Sequence, residues 1–251
     1  VTFPTTRLVI KATPHASEGR FYQLGARCLA PAVPVLEWAH TEAALDWLVL
    51  EHIPHPLPRE RWLADPAVLA ILYRLHHAEL PTIAVPLFQP AWSEAMTEQA
   101  LAYFSSTDQR HLRSHLCSIQ HQAQPLFHPH CLISGDPNPR NWGLRSNGTV
   151  VLYDWERWGR GTPALDLAIT IPGLGDWSAF ARVSKQYLAM APDLHSHASA
   201  ILQLTRDIAL AKVWNAIEFL SHAALGQLAD TSGLPSLIQQ LPRWIEQVSN
   251  R

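Results

Sequence analysis

An aspartate and an asparagine five positions apart, in Leu132-Ile-Ser-Gly-Asp136-Pro-Asn-Pro-Arg-Asn141, give this chain its clearest chemical signal. In one tight loop the two can divide a task. The carboxylate can face a hydroxyl that loses its proton, while the amide oxygen faces a divalent cation. A second acid, Asp154, closes the run Val150-Val-Leu-Tyr-Asp154-Trp-Glu and can approach the same cation. Phosphoryl transfer asks for little beyond this set: a carboxylate near the attacking hydroxyl, oxygen ligands for Mg²⁺ and a cation on the phosphates. Gly-Asp-Pro-Asn-Pro is equally an ordinary turn, because Asp and Asn bond readily to nearby backbone. Taken alone, the loop does not choose between the two.

The surrounding pattern predicts the elements that hold this loop. Residues 7–12 and the runs Val33–Trp38 and Leu45–His52 read as strands rich in β-branched and apolar residues. Between them, residues 17–29 read as a helix with Ser17 as N-cap and Glu18 in its acidic first turn. Ile-Pro-His-Pro-Leu-Pro at 53–58 is a proline-rich break that suits a connector. Beyond it the pattern turns helical, with Arg61–His77 placing Trp62, Leu69, Leu72, Leu75 and His76 at helical spacing. Residues 93–123 hold one long helix or two. Ser146-Asn147-Gly148 sits between two short apolar runs, which predicts a hairpin directly after the Asp–Asn loop. Thr162-Pro163 then opens a helix with a capping hydroxyl and a proline at its first position, and further helices follow near 177–190, 195–224 and 234–248. The expected fold is α+β, with a small segment over residues 1–54 and a larger, mainly helical one over 55–251.

Three segments in order resemble the aminoglycoside phosphotransferase and choline kinase family, within the protein-kinase-like superfamily. Ser134-Gly-Asp136 through Asn141 resembles the catalytic loop His-Gly-Asp-x-x-x-x-Asn, with Ser134 standing where the family usually has His. Tyr153-Asp154-Trp155-Glu156 resembles the metal-binding Asp-Trp/Phe-Glu segment, and Gly161-Thr-Pro-Ala-Leu-Asp166-Leu-Ala the Gly-x-Pro-x-x-Asp-Leu-Ala that follows it. The resemblance implies a two-lobed protein-kinase-like fold with an abbreviated β-containing N-lobe, using ATP and Mg²⁺. It implies Asp136 as catalytic base, Asn141 and Asp154 as metal ligands, and Asp166, with Ser134, as support for the loop. Leu8-Val-Ile-Lys11 resembles the strand whose lysine pairs with nucleotide phosphates, with Glu18 as its ion-pair partner. Leu48-Val-Leu-Glu51-His-Ile53 resembles the hinge that meets adenine, and Leu75-His76 echoes a family helix. No glycine occurs among the ten residues before Lys11, so the expectation is a truncated start or a minimal nucleotide cover. That feature, together with Ser134, keeps a nucleotide-binding pseudokinase or scaffold as the alternative to an active enzyme.

Composition narrows the partners. The net charge of −2 lacks the basic excess of a nucleic-acid binder, and no apolar run reaches a membrane span. Three cysteines without framework spacing and the lack of a signal-peptide pattern in Val1-Thr-Phe-Pro fit a cytoplasmic protein with reduced thiols. Only eleven residues lie between Asp154 and Asp166, too few for a protein-kinase activation loop, so the expected acceptor is a small hydroxylated molecule. A glycated or ribosome-linked protein stays as a third option. Asp176, Asp193, Asp207, Glu218, Asp230 and Glu246 form no acidic cluster for a polycationic acceptor. Trp177, Trp214 and Phe219 could face a quaternary ammonium or pack in a core at helical spacing. His128-Pro-His130-Cys131 lacks the second ligand pair that a zinc site needs.

Overall fold

The computed structural model describes residues 7–14, 16–43, 45–79, 87–191, 198–228 and 230–251. Its first layer is an antiparallel three-stranded sheet of β1 (Leu8–Thr13), β2 (Leu36–Glu42) and β3 (Leu45–Glu51) in the order β1-β3-β2. Lys11 pairs with Leu48 in the β1–β3 register, so it shares the face on which Leu48 is fully buried. Against that face lies a helical segment in three pieces: α1 (Ala16–Arg20), a π-helical turn Phe21–Gly25 and α2 (Ala26–Leu29). Ser17 falls inside α1 and is not its cap; its hydroxyl donates instead to the Glu156 carbonyl at 2.7 Å. The strand expected from Val33 begins only at Leu36, because Pro34 removes a ladder donor from the run before it.

The proline-rich connector is not bare loop. Its β4 (His55–Pro56) pairs with β6 (Trp142–Leu144), which pairs in turn with β7 (Val150–Leu152). The expected hairpin is therefore present, and Gly148 takes φ +83 at its turn. A second ribbon joins β5 (Cys131–Ile133) to β8 (Gly159–Gly161). These two ribbons fix both ends of the Asp136–Asn141 loop and both flanks of Asp154.

Helices complete the fold: α3 (Pro66–His76), α4 (Glu94–Leu101), α5 (Ser106–Ala123), α6 (Pro163–Ile169), α7 (Trp177–Leu188), α8 (Ala198–Ala224) and α9 (Leu234–Ser249). The helix expected from Arg61 starts at Pro66, where Asp65 caps it by accepting from the Ala67 and Val68 N–H groups, so Trp62 lies off the helix. Residues 93–123 form two helices, broken near Phe104, and Ser105 caps the second. Thr162 occupies the cap position of α6, but its hydroxyl makes no capping bond. The stretch 195–197, Asp193 and Val1–Pro4 lie outside the described residues. The long α8 packs on α4, α5, α6, α7 and α9 and forms the axis of the helical core. No helix among the described residues is long and apolar enough to cross a membrane.

Candidate active site

The Asp136–Asn141 loop leaves β5 through Gly135, whose φ is +78. A Cβ at Gly135 would run into the Arg157 carbonyl oxygen and side chain, so the loop passes directly against the segment leading from Asp154 into β8. Both constraints select glycine. Gly135→Ala is expected to lose most activity and some stability, through a left-handed backbone cost of about 1–2 kcal/mol plus displacement of Arg157. Gly148→Ala has the same sign of φ with open space around it. It should retain activity with a similar small loss in melting temperature; equal activity losses in the two variants would contradict this account.

At the loop's end Pro139–Asn141 forms a short 3-10 turn that swings Asn141 back. Its Nδ2 donates to the Asp136 carbonyl at 2.9 Å and to the Asp136 carboxylate at 3.1 Å. With both amide hydrogens directed at Asp136, the Asn141 Oδ1 remains as an acceptor. Burial pushes the Asp136 carboxyl up to about 6, opposed by Arg157 and reinforced by the nearby charge of Asp154.

Asp154 has φ +67, a left-handed conformation that carries strain in any residue with a Cβ. Its carboxylate meets the Lys11 ammonium at 2.8 Å, and the same ammonium reaches Glu18 at 2.8 Å and Glu156 at 3.0 Å. Burial alone would lower the pKa of Lys11, but bonds to Asp154 and Glu18 hold it above its usual range. The helix locks this cluster in place. The Trp155 backbone N–H donates to Glu18 Oε1 at 3.2 Å, and Phe21 stacks on the Trp155 ring at 3.7 Å and meets Trp158 edge-on at 5.4 Å. Oxygen atoms of Glu18, Asp154 and Glu156 lie within 4.8 Å of one another. These three carboxylates are hard-oxygen donors of the kind that suits Mg²⁺.

Asp166, on α6, is fully buried and accepts from the backbone N–H groups of Ser134 at 2.8 Å and Gly135 at 2.9 Å. His76 Nε2 lies 3.1 Å from the same carboxylate, and its Nδ1 lies 2.8 Å from the Tyr187 hydroxyl. In the sequence His76 reads as one more position at helical spacing, and its contact with Asp166 was not foreseen. The signal available was Leu75-His76 at the end of α3, on a chain whose loop carries Ser134 in place of His.

Glu51 and Ile53 hold the connector. The Glu51 carboxylate makes a bidentate pair with Arg145 at 2.6 Å to each nitrogen, and Ile53 packs where a side chain at Gly143 would sit. The Glu51 backbone N–H donates to the Val35 carbonyl. Both residues thus lie beside the hairpin, and the side chain of Glu51 is committed to Arg145.

A cleft of about 690 Å³ opens on Asp136. Asn138, Arg140, Arg157, Glu218 and Phe219 contribute to its walls. Glu218 is paired with Arg157 at 2.7 Å, and the Arg157 guanidinium lies over the Phe88 ring at 4.4 Å. The three aromatic residues named from sequence part company here. Phe219 lines the cleft; Trp214 is buried with its indole N–H on the Ala91 carbonyl; Trp177 sits elsewhere against Arg251.

Lys212, on α8, also lines the cleft. Its ammonium is buried and donates to the Ala168 and Ile171 carbonyls at 3.0 and 2.6 Å, and burial lowers its pKa to about 7. An unfolded lysine keeps its proton to about pH 10.4. Between these values the unfolded state binds more protons, so this group makes folding more favourable as pH rises from about 7 to about 10. The melting temperature of the wild type minus that of Lys212→Met is expected to climb across this window; a flat difference would refute it.

The two-layer arrangement of a small sheet with its helix, a connector and a helical body that carries the Asp136–Asn141 loop defines a kinase-like fold. Solved structures share it. Choline kinase LicA from Streptococcus pneumoniae is 14% identical with a TM-score of 0.63, over 98% of this chain and 88% of that one. A Plasmodium vivax ethanolamine kinase is 14% identical with a TM-score of 0.63, over 98% and 76%. Spectinomycin phosphotransferase in complex with ADP and spectinomycin is 12% identical with a TM-score of 0.61, over 98% and 86%. A search of curated proteins finds no match to the chain. The model of the phosphotransferase enzyme family matches residues 7–198, and the chain belongs to that family.

Proposed function

We propose that this protein transfers the γ-phosphoryl group of ATP to a hydroxyl of a small molecule. The observation that carries this reading is the convergence of Asp136, Asn141, Asp154 and Lys11: a half-buried carboxylate held by an amide, beside an acid–lysine cluster braced from α1. Support also comes from family membership and from structural neighbours solved with ADP or AMP.

In the reaction the acceptor oxygen bonds to the γ-phosphorus as the bond to the β–γ bridging oxygen breaks, and ADP leaves. The acceptor proton passes to Asp136, whose carboxylate faces the cleft. Asn141 fixes that carboxylate through Nδ2. Lys11 turns from Asp154 and Glu156 to balance phosphate charge, while its pair with Glu18 keeps it in register. Asn141 Oδ1 and Asp154, with Glu156 beside them, would hold Mg²⁺, which when bound offsets charge on the phosphates. The connector at Glu51 and Ile53 would meet the adenine edge of the nucleotide, as the family resemblance implies.

The test is ADP release and acceptor phosphorylation over aminoglycosides, choline, thiamine, homoserine and sugars. Turnover of one acceptor that Asp136→Asn abolishes is the expected result. No turnover by the wild type on any acceptor, or turnover indifferent to Asp136, would sink the reading.

A further inference from the structure

The charge of the acceptor cleft says more than its shape. Four basic side chains line it, Arg59, Arg140, Arg157 and Lys212, against two carboxylates, Asp136 and Glu218. Glu218 is taken by Arg157, and Asp136 is reserved for the reacting hydroxyl. Asp230 reaches Arg140 at 3.0 Å from outside the lining. Arg59 and Lys212 therefore have no carboxylate bonded to them among the described residues. Lys212 is only 5% exposed, so its ammonium has left water for two carbonyl oxygens at the end of α6. Burying a cation without a counter-charge is costly, and an anion arriving in the cleft would offset that cost.

The same wall is poorly suited to a cationic acceptor. No carboxylate in the lining remains unengaged, and a quaternary ammonium needs ring faces. The Trp62 ring, which lines the cleft, is covered by the Arg59 guanidinium at 5.4 Å from its centroid, which leaves Phe219.

We propose that the acceptor bears an anionic group, a carboxylate or a phosphate, in addition to the hydroxyl that is phosphorylated, and that Arg59 and Lys212 in the cleft wall receive it. The inference rests on the phosphotransferase reading above. It deepens that reading by assigning the chemical class of the substrate.

The test is a size-matched series at fixed ATP and Mg²⁺: glycerol, glycerate, glycerol 3-phosphate, ribose, ribose 5-phosphate, ethanolamine and choline. Glycerate distinguishes a carboxylate site from the phosphate site that the two phosphate esters report. At least one anionic member is expected to exceed its neutral analogue in kcat/KM by about tenfold or more, the value of one charge-assisted contact. Arg59→Gln, an exposed position that folding tolerates, should raise KM for that acceptor by a similar factor with little change in kcat. Faster turnover of cationic or neutral members overturns the anion proposal while leaving the phosphotransferase standing. If nothing in the series turns over, thermal shift with glycerate and inorganic phosphate decides. Stabilisation that Arg59→Gln and Lys212→Met both weaken supports the anion site even where the phosphotransferase reading fails, and its absence overturns it.

Discussion

Asp136→Asn is expected to lower kcat by about 10²- to 10⁴-fold, the range for loss of a positioned general base, with the nucleotide KM nearly unchanged. The amide keeps the shape of the side chain and its contact with Asn141, but it cannot take up the acceptor proton. Because burial pushes the Asp136 carboxyl up to about 6, the wild type should also show an acid limb in kcat/KM with a midpoint no higher than about 6. Protonation removes the base below that point, so activity falls as pH drops through it. Steady-state rates of both proteins from pH 5 to 8 check the two statements together. Equal kcat in wild type and variant would remove Asp136 from the chemistry.

The second large effect belongs to a residue that touches no reactant. Asp166→Ala should destabilise the fold by roughly 3–5 kcal/mol, the cost of breaking a buried, fully bonded charged site. That corresponds to a fall in melting temperature of about 10 °C for a chain of this size. The reason lies in what the carboxylate holds. The N–H groups of Ser134 and Gly135 both point to it, and His76 reaches it from α3. Without it two buried donors lose their acceptors, and the loop loses the contact that sets the direction of Asp136. Activity should fall further than stability alone accounts for at a temperature where the variant is still folded. His76→Ala removes one partner and leaves the backbone bonds, so its effect should be smaller. Thermal denaturation of the two variants orders them; a larger loss in His76→Ala would contradict this division of labour.

Legibility followed the range of the interactions. The hairpin at Ser146-Asn147-Gly148 and the strand carrying Lys11 were readable, because turn residues and β-branched runs act over a few positions. Helix starts were read less well. Ser17 and Thr162 looked like caps, but the Ser17 hydroxyl bonds the Glu156 carbonyl, 139 positions away, and the Thr162 hydroxyl makes no bond. A cap signal states what a side chain is able to do locally, while packing decides which partner it meets. The π-helical turn at Phe21–Gly25 had no sequence mark at all; the aromatic stack of Phe21 on Trp155 places it.

Amino-acid order alone determined the Asp–Asn loop with Asp154 and Asp166 downstream, since these groups lie within a short stretch whose turns and strands are locally encoded. Three-dimensional packing alone decided that Glu156 joins Glu18 and Asp154 around Lys11, that His76 braces Asp166, and that Arg157 pairs with Glu218 beside Asp136. Ion pairs and buried hydrogen bonds depend on distance and on exclusion of water, and neither is set until the sheet, α3 and α8 close on the loop.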